Sequence, residues 1–426
     1  MSPLMIRLKS RPSQHLLPSL VRQAILREVT NGSNTKRFVE VWTGAQMEAS
    51  LDVTKYHDTF HTEGEFNNYH DRPQIPANRM SDFLSSLSFS PSETSLIYTA
   101  EANVESGDDI SNDHYSKFIY TPHFGETCRM KKRATIFLFR WTRSTRVTKQ
   151  DMSLFALSQT QATQTSIIFG QATFATEDLI FATGFEYTKD GRLLGVKGCF
   201  NRLMGIWELR LPESETLDGT PLGARISCNS LKLTPSERSC RSPRVLFDDN
   251  RTPIKLFWFS NPVGGPHASC VSLESRDLTT GLNKVLVDTI MEPNPGNDFP
   301  GLYTEYTMPS SPFLHRGDHV YIVLQSLWGS RTTVLFIDTD SGAITNKTKI
   351  HADEPMYSWS VLATDSKMRI ICSRSTPTTP SDVLLGYFNK HGDLGWKVLD
   401  KPILSEEGAF LSVMPMQSHC HAMPFS

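Results

Sequence analysis

Apolar residues in this chain arrive in short bursts, not in helical stripes. The bursts are Phe38–Trp42, Ser95–Ala100, Ala134–Trp141, Leu179–Thr183, Gly205–Leu211, Ile254–Phe259, His319–Leu324, Thr333–Asp338 and Lys367–Cys372. Each is about five to eight residues long, rich in β-branched and aromatic types, and closed by Gly, Pro, Asn, Asp or Ser, which is the signature of strands. Sustained 3.6-residue periodicity is nearly absent. The stretch from Gln14 to Glu28 is the one helix candidate, and Pro18 weakens it.

The strands follow a longer rhythm of roughly 45–60 residues, in the range of one propeller blade with its loops. Several are preceded by a Ser-Pro or Thr-Pro lead-in: Ser88–Thr94, Leu233–Glu237 and Ser242–Val245. A four-stranded blade cannot cover both of its faces alone, and stacked blades cover one another. A β-sandwich is the structural alternative, without the longer rhythm. The expected fold is all-β, a β-propeller over 27–400. Residues 1–26 are expected to be an irregular leading segment and 401–426 an irregular tail.

Charge and composition narrow the function classes. Lys+Arg is 43 and Asp+Glu is 45, so the net charge is −2. No basic field attracts nucleic acid. No run of 18 or more apolar residues predicts a membrane span. The seven cysteines, Cys128, Cys199, Cys228, Cys240, Cys270, Cys372 and Cys420, are scattered, odd in number and free of a CxxC pair. Reduced cytoplasmic thiols are expected. The leading segment is basic (Arg7, Lys9, Arg11, Arg22), as a transit peptide could be, but an irregular segment is the simpler expectation. The sequons at Asn31, Asn250 and Asn346 read as turns.

Candidate chemistry is sparse. His57-Asp-Thr-Phe-His61 spaces two histidines as a zincin does, but Asp58 stands where a Glu base is needed and the residues after it are poor helix formers. A helix is not expected there, and the family resemblance described below implies a loop between strands. His419-Cys-His421 resembles a soft-metal cluster on a tail. The acidic stretch from Glu101 to His114 and the segment from Tyr69 to Met80 read as solvated loops. Gly264-Gly265 and Gly281 read as hairpin turns, and Lys131–Arg133 as an exposed strand start. Trp42, Trp141, Trp207, Trp258, Trp328, Trp359 and Trp396 lie in or beside strands, placed for blade-to-blade packing. No Gly-x-Ser-x-Gly occurs, so no serine sits in a nucleophile elbow. The expected site residues are therefore none: no catalytic, cofactor or metal residue.

An ordered set of segments resembles the N-terminal propeller of acylaminoacyl-peptidases, the acylamino-acid-releasing enzymes of the prolyl oligopeptidase clan. These segments are Phe38–Trp42, Leu87–Thr94 with Leu96–Glu101, Phe118–Glu126, Gly195–Arg202, Gly301–Tyr303, and Ser373–Pro377 with Leu384–Gly386. The resemblance spans about Arg27 to Lys390. It implies a seven-bladed propeller, with the first blade incomplete here, followed in the family by an α/β-hydrolase domain. That domain carries the serine, acid and base, which have no counterpart in these residues. The implied function is non-catalytic: the propeller gates access of short N-acylated peptides to the hydrolase domain, by excluding folded chains. The implied partners are that hydrolase domain, the peptides, and a second copy in a homo-oligomer, with no nucleic acid and no membrane. The contrasting expectation is a stand-alone propeller that binds protein partners without catalysis.

Overall fold

The structure is a computed structural model. It describes residues 4–9, 22–61, 81–102, 115, 125, 132–142, 152–159, 167–195, 199–213, 217, 219–292, 299–348, 355–388 and 394–402. These residues form 25 strands and a single helical turn, α1 (Ser81–Leu84). The chain divides into two units, the first comprising 1–292 with 301–308 and the second 293–300 with 309–426.

The first unit opens with an antiparallel meander of β1 (Leu4–Lys9), β2 (Arg22–Asn31), β3 (Asn34–Thr43) and β4 (Gln46–Asp52). The β2–β3 hairpin closes through Gly32-Ser33, with Gly32 at φ 61°. Glycine takes that left-handed conformation without a Cβ penalty, and the two-residue turn fits the twist of paired strands. Residues 22–31, the greater part of which the sequence reading gave to a helix, are therefore strand. Full pairing with β3, from Arg22↔Thr43 to Asn31↔Asn34, overrides the local pattern. β1 and the start of β2 also fall inside 1–26, for which the sequence predicts an irregular segment.

The second sheet has nine strands and is two meanders joined edge to edge. One comprises β5 (His57–His61), β6 (Leu87–Phe89), β7 (Ser95–Ala102), β8 (Ala134–Trp141) and β9 (Met152–Gln159). β5 and β6 share one edge of β7, end to end. The other comprises β10 (Ile167–Phe174), β11 (Leu179–Glu186), β12 (Met204–Arg210) and β13 (Ala224–Lys232). β13 pairs parallel to β9, from Ala224↔Phe155 to Cys228↔Gln159, and this seam fuses the two blades. A third sheet follows: β14 (Arg238–Phe247), β15 (Pro253–Pro262), β16 (Ser272–Asp277) and β17 (Asn283–Val287).

The cores of this unit lie between consecutive blades. Leu26, Val39, Val41 and Leu51 of the first sheet meet Leu96, Tyr98, Phe139 and Trp141. Ile97, Leu138 and Phe155 meet Ile180, Trp207 and Leu209. Phe181 and Ile206 meet Val245, Leu256 and the wholly buried Trp258. Each fully buried large apolar side chain contributes about 1.5–3 kcal/mol, so the sheets hold one another by their faces.

The second unit has the same build. One meander is β18 (Phe313–Arg316), β19 (His319–Trp328), β20 (Arg331–Asp338) and β21 (Ile344–Asn346). The other is β22 (Ser358–Thr364), β23 (Arg369–Thr376), β24 (Thr379–Phe388) and β25 (Leu394–Asp400). Leu314, Val323, Val334 and Phe336 pack on Trp359, Ile370, Cys372 and Leu384. Trp396 and Trp359 lie 4.7 Å apart, centroid to centroid. The fold is all-β, a series of four-stranded propeller blades. The blade spacing is wider than 45–60 residues where long connections intervene, as between Ala102 and Ala134.

Candidate functional site around Arg241

The first strands of two consecutive blades, β10 and β14, each break register at the same kind of place. β10 shifts between Gly170 and Thr173, and β14 between Arg241 and Arg244. The residues in the breaks, Gln171 (φ 52°) and Ser242 (φ 61°), both lie in the left-handed region. Each costs about 1 kcal/mol or more outside glycine, so the surroundings must hold it. Gln171 Oε1 accepts from the Ser242 N–H at 2.8 Å and from the Thr183 hydroxyl at 2.7 Å. Ser242 Oγ accepts from the Met308 N–H at 2.8 Å. The Arg244 guanidinium donates to the Met308 carbonyl. Chain segment 301–308 is thereby tied to the β14 bulge, and through Ser242 to that of β10.

Beside these bulges Arg241 is completely buried. Its Nε donates to the Tyr306 carbonyl at 2.9 Å and its Nη1 to Asn261 Oδ1 at 2.7 Å. The guanidinium carbon lies 4.3 Å from the centroid of Phe200, 5.0 Å from Tyr306 and 5.7 Å from Phe259. Nη2 has no hydrogen-bond partner, and no carboxylate forms an ion pair with Arg241 among the described residues. Desolvation pushes its pKa down to about 10. Cation–π contacts of about 0.5–2 kcal/mol each offset part of the several kcal/mol lost by removing an ion from water. Burial also raises the Tyr306 hydroxyl, which stays neutral and donates to Met204 Sδ at 3.3 Å.

Two of the segments that carry the family resemblance converge here. Phe200 and Asn201 belong to Gly195–Arg202, and Tyr306 follows Gly301–Tyr303. The Phe200 N–H donates to the His267 carbonyl at 2.9 Å, its carbonyl accepts from Ser239 Oγ at 2.6 Å, and Asn201 Nδ2 donates to the Gly265 carbonyl. Gly301 has φ 102°, and a Cβ there would meet Cys270 Sγ. Leu302 bridges to Val271. Nothing in the hydrophobic pattern singles out Arg241, because arginine ordinarily reads as surface. The Ser242-Pro lead-in was the nearest signal.

A second cluster gathers on the β6–β7 turn. Glu93, at φ 59°, accepts from Arg22 of the first blade at 2.6 Å, and Arg22 also holds Glu48 at 2.8 Å. Arg251, in the β14–β15 turn, lies 3.8 Å from Glu93 and donates to the Pro91 carbonyl at 2.7 Å. The Ser92 N–H donates to Glu177 of the β10–β11 turn at 2.5 Å. Three turns of the second and third sheets, and Arg22 on β2 of the first, are so tied to one another by charge.

The histidine pair does not have the helical spacing of a zincin. His57 and His61 lie on strand β5, not in the expected loop, because the strand pairs with β7 from His57↔Ala102 to His61↔Thr99. Four residue rises along the strand separate them by roughly 10 Å or more, against one helical turn in a zincin. His57 Nε2 accepts from the Tyr98 hydroxyl at 2.9 Å and its Nδ1–H donates to the Asp58 carbonyl at 2.7 Å. Burial pushes its pKa down to about 4, so the ring is neutral. Among the described residues no cluster of His, Cys, Asp or Glu could hold a metal. Burial also raises the Cys228 and Cys240 thiols to about 11 and Cys372 to about 12, which suits packing and not nucleophilic attack.

The remaining candidates are structural or lie elsewhere. Gly264 (φ 81°) and Gly281 (φ 72°) sit between successive strands, as hairpin turns require. Lys132 pairs with Asp58 at 2.7 Å and Arg133 donates to the Ile167 carbonyl at 2.8 Å. Lys131, His419-Cys-His421, and most of the two polar loops lie outside the described residues. Trp141, Trp207, Trp258 and Trp359 are buried between blades. Among the described residues no helix is long and apolar enough to cross a membrane.

Comparison with known proteins places this fold. The sequence model of the acylamino-acid-releasing enzyme N-terminal domain matches residues 3–407. Acylamino-acid-releasing enzyme 2 of Oryza sativa subsp. japonica is 24% identical over 410 residues, covering 87% of this chain and 47% of the relative. The acylamino-acid-releasing enzyme of Rattus norvegicus is 23% identical over 414 residues, covering 90% and 49%. The chain thus spans about half the length of the curated relatives it matches. Among solved structures, prolyl oligopeptidase B from Galerina marginata aligns with 95% of this chain and 43% of its own, at 9% identity and a TM-score of 0.49, too low to add to the assignment. On the match across 3–407, the chain belongs to the family of acylamino-acid-releasing enzyme N-terminal domains.

Proposed function

We propose that this chain is the non-catalytic propeller of an acylaminoacyl-peptidase-like serine peptidase, and that it gates access of short N-acylated peptides to an α/β-hydrolase domain. The family match over 3–407 carries the reading. The chemistry of the described residues supports the non-catalytic part. His57 is locked neutral between Tyr98 and a carbonyl, and the buried thiols titrate at about 11 to 12. Neither can serve as base or nucleophile at neutral pH. The gate works by exclusion: the ion-paired turns around Glu93 keep blades from parting, and a folded chain cannot pass between them. The protein acts in the cytoplasm, where its thiols stay reduced.

The test is capture of the protein from its own cells with an antibody to this chain. The captured material is assayed on an N-acetylated tripeptide and on a folded N-acetylated protein. Release of the acetylated residue from the tripeptide alone supports the reading. Absence of turnover on both sinks it, and favours a stand-alone propeller that scaffolds protein partners.

A further inference from the structure

Asn31 closes β2 at the tip of the β2–β3 hairpin, where it is exposed. Its carboxamide makes no hydrogen bond among the described residues. Gly32 follows it in the turn at φ 61°, and a Cβ there would meet nothing within 4 Å. The ladder closes on Asn31↔Asn34, so the Gly32 N–H lies outside it. Asn31-Gly32 is the single Asn-Gly step in the chain. Two Asp-Gly steps could enter the same chemistry, Asp190-Gly191 and Asp218-Gly219. The Asp190 carboxylate is held by the Thr188 hydroxyl and by Arg192 Nε at 2.7 Å, and Asp218 lies outside the described residues. The Asn31 carboxamide is also the better electrophile, because an amide releases neutral ammonia and an ionised carboxylate would have to release oxide.

We propose that Asn31 is a self-modification site, converted to aspartate and isoaspartate through attack by the Gly32 amide nitrogen. That nitrogen bonds to Asn31 Cγ, the Cγ–Nδ2 bond breaks, and Nδ2 leaves as ammonia, taking the Gly32 proton. The product is a succinimide ring. Water then opens the ring at either carbonyl, and it is the only co-reactant. Cleavage at Cγ gives aspartate in an ordinary backbone. Cleavage at the backbone carbonyl carbon gives isoaspartate, with the chain routed through Cγ. Glycine matters because its backbone can turn freely and brings no side chain against the ring. The extended backbone of Asn31 must relax before attack, and the terminal pair of an exposed hairpin opens at small cost. The rest of the hairpin is held by its core, where Leu26 and Val39 are paired and buried. Isoaspartate lengthens the main chain, so the pairing with Asn34 cannot re-form, and the tip keeps a new carboxylate. The change therefore marks the age of the molecule at a point where the fold survives it. This inference does not depend on the peptidase reading.

In the experiment, purified wild type and Asn31→Gln are aged in warm, mildly alkaline buffer, both folded and in urea, and then digested with trypsin. Cleavage after Arg27 and Lys36 releases residues 28–36, which carry Asn31 and Asn34 together. Mass spectrometry locates the amide-to-acid change, and chromatography separates the aspartate and isoaspartate forms. In the folded chain Asn31 should convert about tenfold or more faster than Asn34, whose neighbour Thr35 is β-branched and stiff. Its rate should lie within about tenfold of that in urea, because the tip frays readily. Both acid forms should appear in wild type, and neither at this position in Asn31→Gln, where a larger ring would have to close. A smaller ratio to Asn34, stronger protection by the fold, or aspartate without isoaspartate overturns the proposal.

Discussion

Gln171 Oε1 accepts the N–H of Ser242 at 2.8 Å, and both residues are left-handed, at φ 52° and φ 61°. The first strands of two blades are thus bulged at matching points, and one amide side chain joins the bulges. Gln171→Ala removes the acceptor while keeping the strained backbone. It leaves the buried Ser242 N–H with only the longer 3.1 Å contact to Thr183 Oγ1. The expected loss is about 1–3 kcal/mol. Urea denaturation checks it, and Gln171→Gly should lose less because glycine relieves the strain.

The Arg22 fork holds two carboxylates from two sheets, Glu48 at 2.8 Å and Glu93 at 2.6 Å. Arg22→Met removes the cation that bridges the two acids and leaves Glu93 only its longer, 3.8 Å contact with Arg251. A destabilisation of about 1–3 kcal/mol is expected, below the full figure for a buried pair because the acids keep some solvent contact. Glu93→Gln should cost less than Arg22→Met, and limited proteolysis should cut the β6–β7 turn faster in both.

The protein should lose stability in acid before its carboxylates protonate. His57 has its pKa pushed down from 6.5 to about 4, first by desolvation. The folded state therefore binds fewer protons than the unfolded state between those values. The stabilisation is complete above pH 6.5 and is lost as pH falls toward 4, up to about 3 kcal/mol. Asp338, held down at about 2 against burial by the Ser341 N–H and hydroxyl and by His319, adds a later loss below pH 3.8. Unfolding free energy measured from pH 7 to 4 should fall in wild type and stay flatter in His57→Gln. An identical slope in both would show that His57 is not the group responsible.

Gly301 should tolerate no side chain. At φ 102° any L-residue is strained, and the added methyl would press on Cys270 Sγ. Gly301→Ala is expected to cost about 2 kcal/mol or more. Cys270→Gly in the same chain should restore only part of it, since the backbone strain remains. Thermal unfolding of the three variants measures this.

The strands were legible because burial in a blade leaves a local mark. Ile254–Phe259 lies within β15 and Leu179–Thr183 within β11, each an apolar burst ended by turn residues. What was not legible depends on distant partners. The β9–β13 seam is an edge pairing that alters no hydrophobic pattern. The strand from Arg22 to Asn31 is fixed by its hairpin with β3, and His57–His61 by its pairing with β7. Arg241 leaves no mark in the sequence because a buried charge is housed by tertiary structure, and its rings come from residues 41 back, 18 on and 65 on in the chain.

The most direct test of the central claim is the size of the endogenous protein under denaturing conditions, by immunoblot with an antibody to this chain. A band well above the 48.0 kDa of these 426 residues is expected under the proposed function, in which the propeller is joined to a hydrolase domain. A band at 48.0 kDa alone would contradict it and leave a propeller that works through separate partners.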